Sequence, residues 1–310
     1  MNIMQNITKY TLIAFAVLSS LAATAQQEPH YTQYMYNMGV VNPAYMINEP
    51  GIVQVGSLYR AQWVGLDGAP KTANIFGNIP LNEQVEIGIN YTNDQIGDVA
   101  TQNIFNVNFA YKIKLNYDTN LSFGLKMGVD NVNLDFSQTN VSTDAAFQNQ
   151  QQTSLAIGAG AFLFKEKYYV GFSSPNLIPY KVDVESEDSV LYREKAHFYL
   201  MGGYVFNVHP QVKLKPSAVT KIVFGAPITT DVSLNALYDD RFELGLSYRV
   251  EDAVSVLAGF NVTPDLRIGY AYDFGTSRLR DYSSGSHEIV MTYVFDIVGL
   301  SRRYASPRFY

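Results

Sequence analysis

From Val85 to Phe295 the chain repeats one motif: runs of about ten residues in which apolar and polar side chains alternate, broken by turn residues. Thr119–Val129, TNLSFGLKMGV, shows it most cleanly. Leu121, Phe123, Leu125, Met127 and Val129 share one parity, and Ser122, Gly124, Lys126 and Gly128 share the other. Successive side chains of a strand face opposite sides, so such a run has one greasy face and one small or polar face. A chain built of little else suggests a sheet closed on itself, with lipid outside and polar groups inside.

Composition agrees. Hydrophobic residues make up 47% of the chain and charged residues only 16%, against roughly 25% in an average soluble domain. The net charge of −6 excludes the basic footprint of a nucleic-acid binder. There is no cysteine, hence no disulfide and no thiolate metal site.

The N-terminus reads as an export signal. Lys9 gives the positive region, Thr11–Leu21 the apolar stretch, and Ala23-Thr24-Ala25 a small-residue cleavage site. The apolar run is shorter than the roughly 20 residues a spanning helix needs. Residues 1–25 are therefore expected to be removed, with cleavage after Ala25 and an outer-membrane destination.

Strands are expected near 51–62, 71–80, 84–93, 101–115, 119–132, 153–165, 168–174, 196–207, 211–224, 228–238, 241–250, 253–262, 265–275 and 286–298. The even number suits a bacterial single-chain barrel. Connection lengths point the same way. Short links such as Leu81–Glu83, Lys165–Lys167 and Asp239-Asp240 alternate with long ones at Gln62–Pro70, Asp94–Ala100, Asn133–Gln152, Pro175–Lys195 and Thr276–Gly285. Outer-membrane barrels have short periplasmic turns and longer outer loops. The fold class is thus all-β: a transmembrane antiparallel β-barrel of about fourteen strands over 51–299. A non-barrel N-terminal segment (26–50) and a short C-terminal tail (300–310) are both expected on the periplasmic side.

The polar parity carries Glu86, Lys112, Lys114, Lys126, Asp130, Glu243, Arg249, Arg267, Asp273 and Glu288. Both signs occur, which fits ion pairs filling a narrow lumen; a conducting or ligand-selective pore is the alternative. Lumen-side glycines such as Gly124 and Gly160 either open space or let an inserted segment pack closely. Of the four histidines, His30 lies in the N-terminal segment, His209 in a turn, and His197 and His287 at strand starts near the outer rim. No spacing brings a nucleophile, base and orienting group together, and no HExxH or phosphate-cradling loop occurs. An enzyme is not expected, nor any cofactor or metal.

Two segments break the alternation. Gln26–Pro50, QQEPHYTQYMYNMGVVNPAYMINEP, is rich in aromatics and Met. Left in water it would be an apolar liability, so it either plugs the periplasmic mouth or binds a partner. Leu300–Tyr310, LSRRYASPRFY, is surplus to a barrel that ends at its last strand.

HYTQYMYNMGVVNPAY (His30–Tyr45) followed by LYRAQWVGLDGAPKT (Leu58–Thr72) resembles the opening signature of the PorP/SprF family. GSHEIVMTYVF (Gly285–Phe295) and the terminal SPRFY resemble its closing strand and tail. The resemblance implies a non-enzymatic outer-membrane component of the type IX secretion system of Bacteroidota. Such a protein sits in outer-membrane lipid and works with periplasmic ring and lipoprotein components. It serves secreted cargo, in some members a gliding adhesin. An adaptor or anchor is the leading expectation, and a passive channel or hydrophobic-solute transporter the alternative. Tyr31, Tyr34, Tyr36, Asn42, Pro43 and Tyr45, with Arg302, Arg303, Arg308 and Phe309, are expected to contact periplasmic partners, since aromatics and Arg are enriched at interfaces. Trp63, Asp67, Gly68 and Lys71 are expected at the other end, as a cargo-facing lip or folded into the lumen, with membrane-interface anchoring as a further role for the Trp.

Overall fold

The computed structural model describes residues 29–47, 49–137, 149–179, 181–183, 190–193 and 195–297. Strands β1 (Ile52–Ala61), β2 (Lys71–Pro80), β3 (Val85–Ile96), β4 (Ala100–Lys114), β5 (Asn120–Leu134), β6 (Gln150–Phe164) and β7 (Tyr168–Asn176) form the first half of one sheet. Two short strands, β8 (Lys181–Asp183) and β9 (Val190–Arg193), pair only with each other. The second half comprises β10 (His197–Tyr204), its continuation β11 (Phe206–His209), β12 (Val212–Val223), β13 (Thr229–Tyr238), β14 (Phe242–Arg249), β15 (Ala253–Asn261), β16 (Leu266–Gly275) and β17 (Ser286–Asp296).

Every neighbouring pair is antiparallel, and the two halves join at both seams to close the sheet. β1 pairs with β17 from Ile52↔Asp296 to Ala61↔His287, and β10 lies between β7 and β12. Counting β10 and β11 as one strand broken at Val205, the barrel has the fourteen strands expected from the alternation. Closure leaves no backbone edge facing lipid over the paired length.

Alternation sets the two faces. Leu125 and Met127 are 63% and 68% exposed, while Lys126 between them is 6% exposed. An apolar side chain bare on the outside and a lysine buried on the inside is the inverse of a soluble protein, and it identifies the outer surface as lipid-facing. No described helix is long and apolar enough to cross a membrane; the strands do so instead.

The start of β1 and the end of β17 lie at the end of the barrel that also holds the tight turns after β2, β4, β6, β11, β13 and β15. One expected long loop is absent. β3 runs to Ile96 and β4 starts at Ala100, so only Gly97–Val99 join them. Asp94 and Gln95 continue the ladder, opposite Gln102 and Thr101.

Candidate functional site

The lumen is filled by the chain's own N-terminal segment. Pro29–Ile47 forms a 3₁₀ turn at Tyr34–Tyr36 and a single helical turn at Met38–Val41, and is otherwise irregular. All its residues from Tyr31 to Ile47 except Val40 are buried. Such irregular backbone is tolerated at membrane depth because the wall, and not lipid, surrounds it. The aromatic and Met side chains find inward-facing partners. Tyr45 meets Phe162 edge-on at 5.7 Å between ring centroids, and Phe162 stacks on Tyr169 at 5.4 Å. Tyr31, Tyr34, Met35, Tyr36 and Met38 join one apolar cluster with Leu58, Met201, Val219, Leu257 and Val290 of the wall.

Wall side chains satisfy the plug's backbone groups. The Ile47 amide donates to Glu86 Oε1 at 2.8 Å, near the short-turn end. Further along, Ser122 donates to the Ala44 carbonyl, Ser173 to Val41 at 2.8 Å and Asn108 to Gly39 at 2.7 Å. Asn37 donates to both Asn74 and Asn90, at 2.7 and 2.9 Å. At the far end the amides of Gln33 and Thr32 donate to the two Glu288 oxygens at 2.7 and 2.9 Å. His30 Nε2 reaches Asp231 at 3.3 Å, and Asp231 also holds Arg249 at 2.9 Å. Asp231, Arg249, Asp273, Glu288 and Arg60 all lie near the long-loop ends of their strands. The segment therefore enters at the short-turn mouth and climbs the full lumen.

Burial of charge is matched by pairing. Arg60, 2% exposed, stands 2.7 Å from Asp273 and 3.1 Å from Glu288. Arg267 pairs with Glu243, and the Tyr36 hydroxyl donates to the same carboxylate at 2.7 Å. Unpaired, any of these groups would cost several kcal/mol in this setting, on the order of the penalties for buried ions.

Two glycines make room for the plug. A Cβ at Gly124 would fall on the Pro43–Ala44 backbone, and one at Gly160 on the Asn42 amide. Asn42 is fully buried; its Nδ2 donates to Ala161 O at 3.1 Å and its Oδ1 accepts from the Ala44 amide at 2.9 Å. These positions answer what the lumen-side glycines do: they let an inserted segment approach the wall.

The placement corrects several expectations. Tyr31, Tyr34, Tyr36, Asn42, Pro43 and Tyr45, expected at a periplasmic contact, are buried within the barrel and face its wall. His30 is likewise drawn into the lumen. Lys114 is not a lumen charge; it pairs with Glu83 at the short-turn rim, 3.5 Å away, with both side chains largely in water. Trp63, Asp67 and Gly68 lie in the β1–β2 loop at the long-loop end. There the Trp63 amide donates to Ser286 Oγ at 3.1 Å and its backbone adopts a left-handed φ of 43°. Trp63 is half-buried, and Asp67 and Gly68 are exposed. Lys71 opens β2 on the outward parity and is exposed, so it does not line the lumen. Arg302, Arg303, Arg308 and Phe309 lie outside the described residues. Arg60 was not singled out by sequence, although it shares the inward parity of Gln54 and Leu58.

The barrel is similar to known outer-membrane transporters. It overlays the Ralstonia pickettii toluene transporter TbuX with a TM-score of 0.52 at 10% identity, covering 83% of this chain and 93% of that one. A Pseudomonas aeruginosa FadL homologue gives 0.50 at 12%, covering 88% and 96%. The CymD monoaromatic hydrocarbon channel gives 0.51 at 12%, covering 83% and 91%. At these identities the likeness is one of fold. No curated protein matches the sequence. A family profile does match, across residues 23–293, and it describes a type IX secretion system membrane protein: the chain belongs to the PorP/SprF family.

Proposed function

We propose that this outer-membrane component of type IX secretion acts as an adaptor or anchor between periplasmic machinery and secreted surface proteins, and that it is not a pore. The observation that carries this reading is the occupied lumen. Pro29–Ile47 is hydrogen-bonded to strands on all sides of the wall, from β2 and β3 through β7 to β16 and β17. A barrel whose channel is filled by its own chain offers its rims, loops and termini for work. The basic, aromatic Leu300–Tyr310 remains the candidate periplasmic contact, with Arg302, Arg303, Arg308 and Phe309 in it.

Single-barrel conductance in planar bilayers tests the reading directly. We expect no steady current from the intact protein. A stable open level would instead favour a passive channel for hydrophobic solutes, of the kind named for the toluene transporter of similar fold. Deleting Ser301–Tyr310 should leave membrane insertion intact and abolish co-purification with periplasmic type IX components. Deleting the gene and inventorying surface proteins then separates a cargo-specific role (one or a few proteins lost) from a core secretion role (all cargo lost).

A further inference from the structure

Where the outward apolar band ends, four adjacent strands carry rows of uncharged polar side chains. In the first row Asn93, Asn103, Asn131 and Thr153 stand opposite one another in register across β3, β4, β5 and β6. One rung further from the short-turn end, Gln95, Thr101, Asn133 and Gln151 form a second row in the same way. The rung on the other side of the first row is Tyr91, Phe105, Val129 and Leu155, exposed by 43%, 45%, 41% and 64%. All three rungs share the outward parity, because each is two residues from the next. The rows therefore lie on the outer wall just past the lipid boundary, and β4, β5 and β6 are the longest strands of the barrel, at 15 residues each.

The first row is held in a defined orientation. Asn103 Oδ1 accepts from Asn93 Nδ2 at 2.8 Å and from the Tyr91 hydroxyl at 2.9 Å, which turns Asn103 Nδ2 outward as a donor. Asn131 Nδ2 donates to Thr153 Oγ1 at 2.8 Å, which leaves Asn131 Oδ1 as an acceptor. Acceptors and donors thus alternate along the row. In the second row Gln95, Asn133 and Gln151 are exposed. Neither row contains a charge; Lys71, opposite Gln95, adjoins the strip at one end.

We propose that this strip binds the saccharide headgroups of the glycolipid in the surrounding outer leaflet. A phosphate-seeking surface would be lined with Arg or Lys. Amides and hydroxyls each offer donors and acceptors together, which is what neighbouring sugar hydroxyls require. The Tyr91 and Phe105 rings, next to the row, present apolar faces suited to sugar C–H groups. Strands lie about 4.8 Å apart, so a row of four spans about 14 Å, which suits a short oligosaccharide better than a single ring. The ligand is membrane-borne because the strip continues the lipid-facing wall without a break.

The full-length protein in nanodiscs tests this, with fluorescent lipopolysaccharide bearing a complete core, sugar-free lipid A, and soluble core oligosaccharide as probes. We expect the core-bearing glycolipid to bind at least severalfold more tightly than lipid A. Asn103→Ala with Asn131→Ala should weaken it about tenfold, as expected for losing two side chains' hydrogen bonds. Thr153→Ala with Gln151→Ala, at sites facing away from the barrel interior, should act in the same direction and guards against a folding artefact in the first pair. Equal binding of lipid A and core-bearing glycolipid, or unchanged binding by both variant pairs, would overturn the proposal. Equally tight binding of the soluble oligosaccharide would overturn its assignment to the membrane.

Discussion

Arg60 donates from Nη1 to the Thr32 hydroxyl at 2.9 Å, and the same hydroxyl donates to Asp273 at 2.8 Å. One plug side chain is thereby inserted into a buried ion network of the wall. The guanidinium stands between two buried carboxylates, Asp273 and Glu288, and pairs with both.

Removing that cation should cost more than removing the plug's contact with it. Arg60→Ala removes the guanidinium that pairs with two buried carboxylates, and a loss of about 3–5 kcal/mol is expected. Thr32→Val removes hydrogen bonds only and should cost about 1 kcal/mol. Denaturant titration of the barrel in detergent measures both. Because Glu288 also receives the Thr32 and Gln33 amides, Arg60→Ala should further expose the Tyr31–Gln33 stretch to protease, whereas Thr32→Val should not. Equal effects of the two substitutions would remove the network from the account.

A methyl group at Gly124 tests whether the plug is seated where described. Ordinary overpacking costs about 1–3 kcal/mol, and here the added atom meets Pro43–Ala44 backbone that has no rotamer to give. Gly124→Ala should therefore raise proteolysis within Pro43–Ile47 and lower the unfolding midpoint. Replacing Tyr31–Ile47 by a Gly/Ser linker should abolish that penalty, because the two changes share one contact. A penalty of the same size in both backgrounds would place the strain in the wall and not at the plug.

His30 ties the first plug residues to the wall: its Nε2 stands 3.3 Å from Asp231, which also holds Arg249. The imidazole keeps 23% of its surface accessible, so the contact should contribute about 1 kcal/mol or less to stability. His30→Gln should therefore raise proteolysis of the first plug residues while moving the unfolding midpoint little. Unchanged proteolysis would remove His30 from the anchoring of the plug.

The alternation located every barrel strand because a closed sheet writes its two faces into the parity of single residues: Lys126 between Leu125 and Met127 is enough to orient β5. It stops being informative where both parities turn polar, as in Asn93–Gln95, so parity alone ends β3 early and puts a long loop in place of Gly97–Val99. The plug was legible only as an apolar segment in need of cover. Its partners lie far away in sequence: Thr32 meets Asp273 and Tyr36 meets Glu243, separations of 241 and 207 residues. No local period encodes such pairs, so the alternation alone leaves open whether the segment seals the lumen or meets a partner. The inward Phe162 and Phe164 were the available hint, since aromatic rings on the polar parity of β6 need something apolar to pack against.

The direction in which the plug is threaded makes the last prediction. Ile47 is held by Glu86 near the short-turn end, while His30 is held by Asp231 near the long-loop end. Nineteen residues, 29–47, thus cross the barrel from one mouth to the other. The native chain has no cysteine, so single-cysteine variants report position without background. Pro29→Cys should react with a membrane-impermeant maleimide in intact cells. Pro50→Cys, exposed at the short-turn mouth, should react only after the outer membrane is permeabilised. Neither side chain joins the ion network, so both variants should insert normally, which the heat-dependent mobility of the barrel will check. Labelling of Pro50→Cys alone in intact cells would reverse the orientation. Labelling of both only after permeabilisation would mean that the segment turns back before reaching the outer mouth.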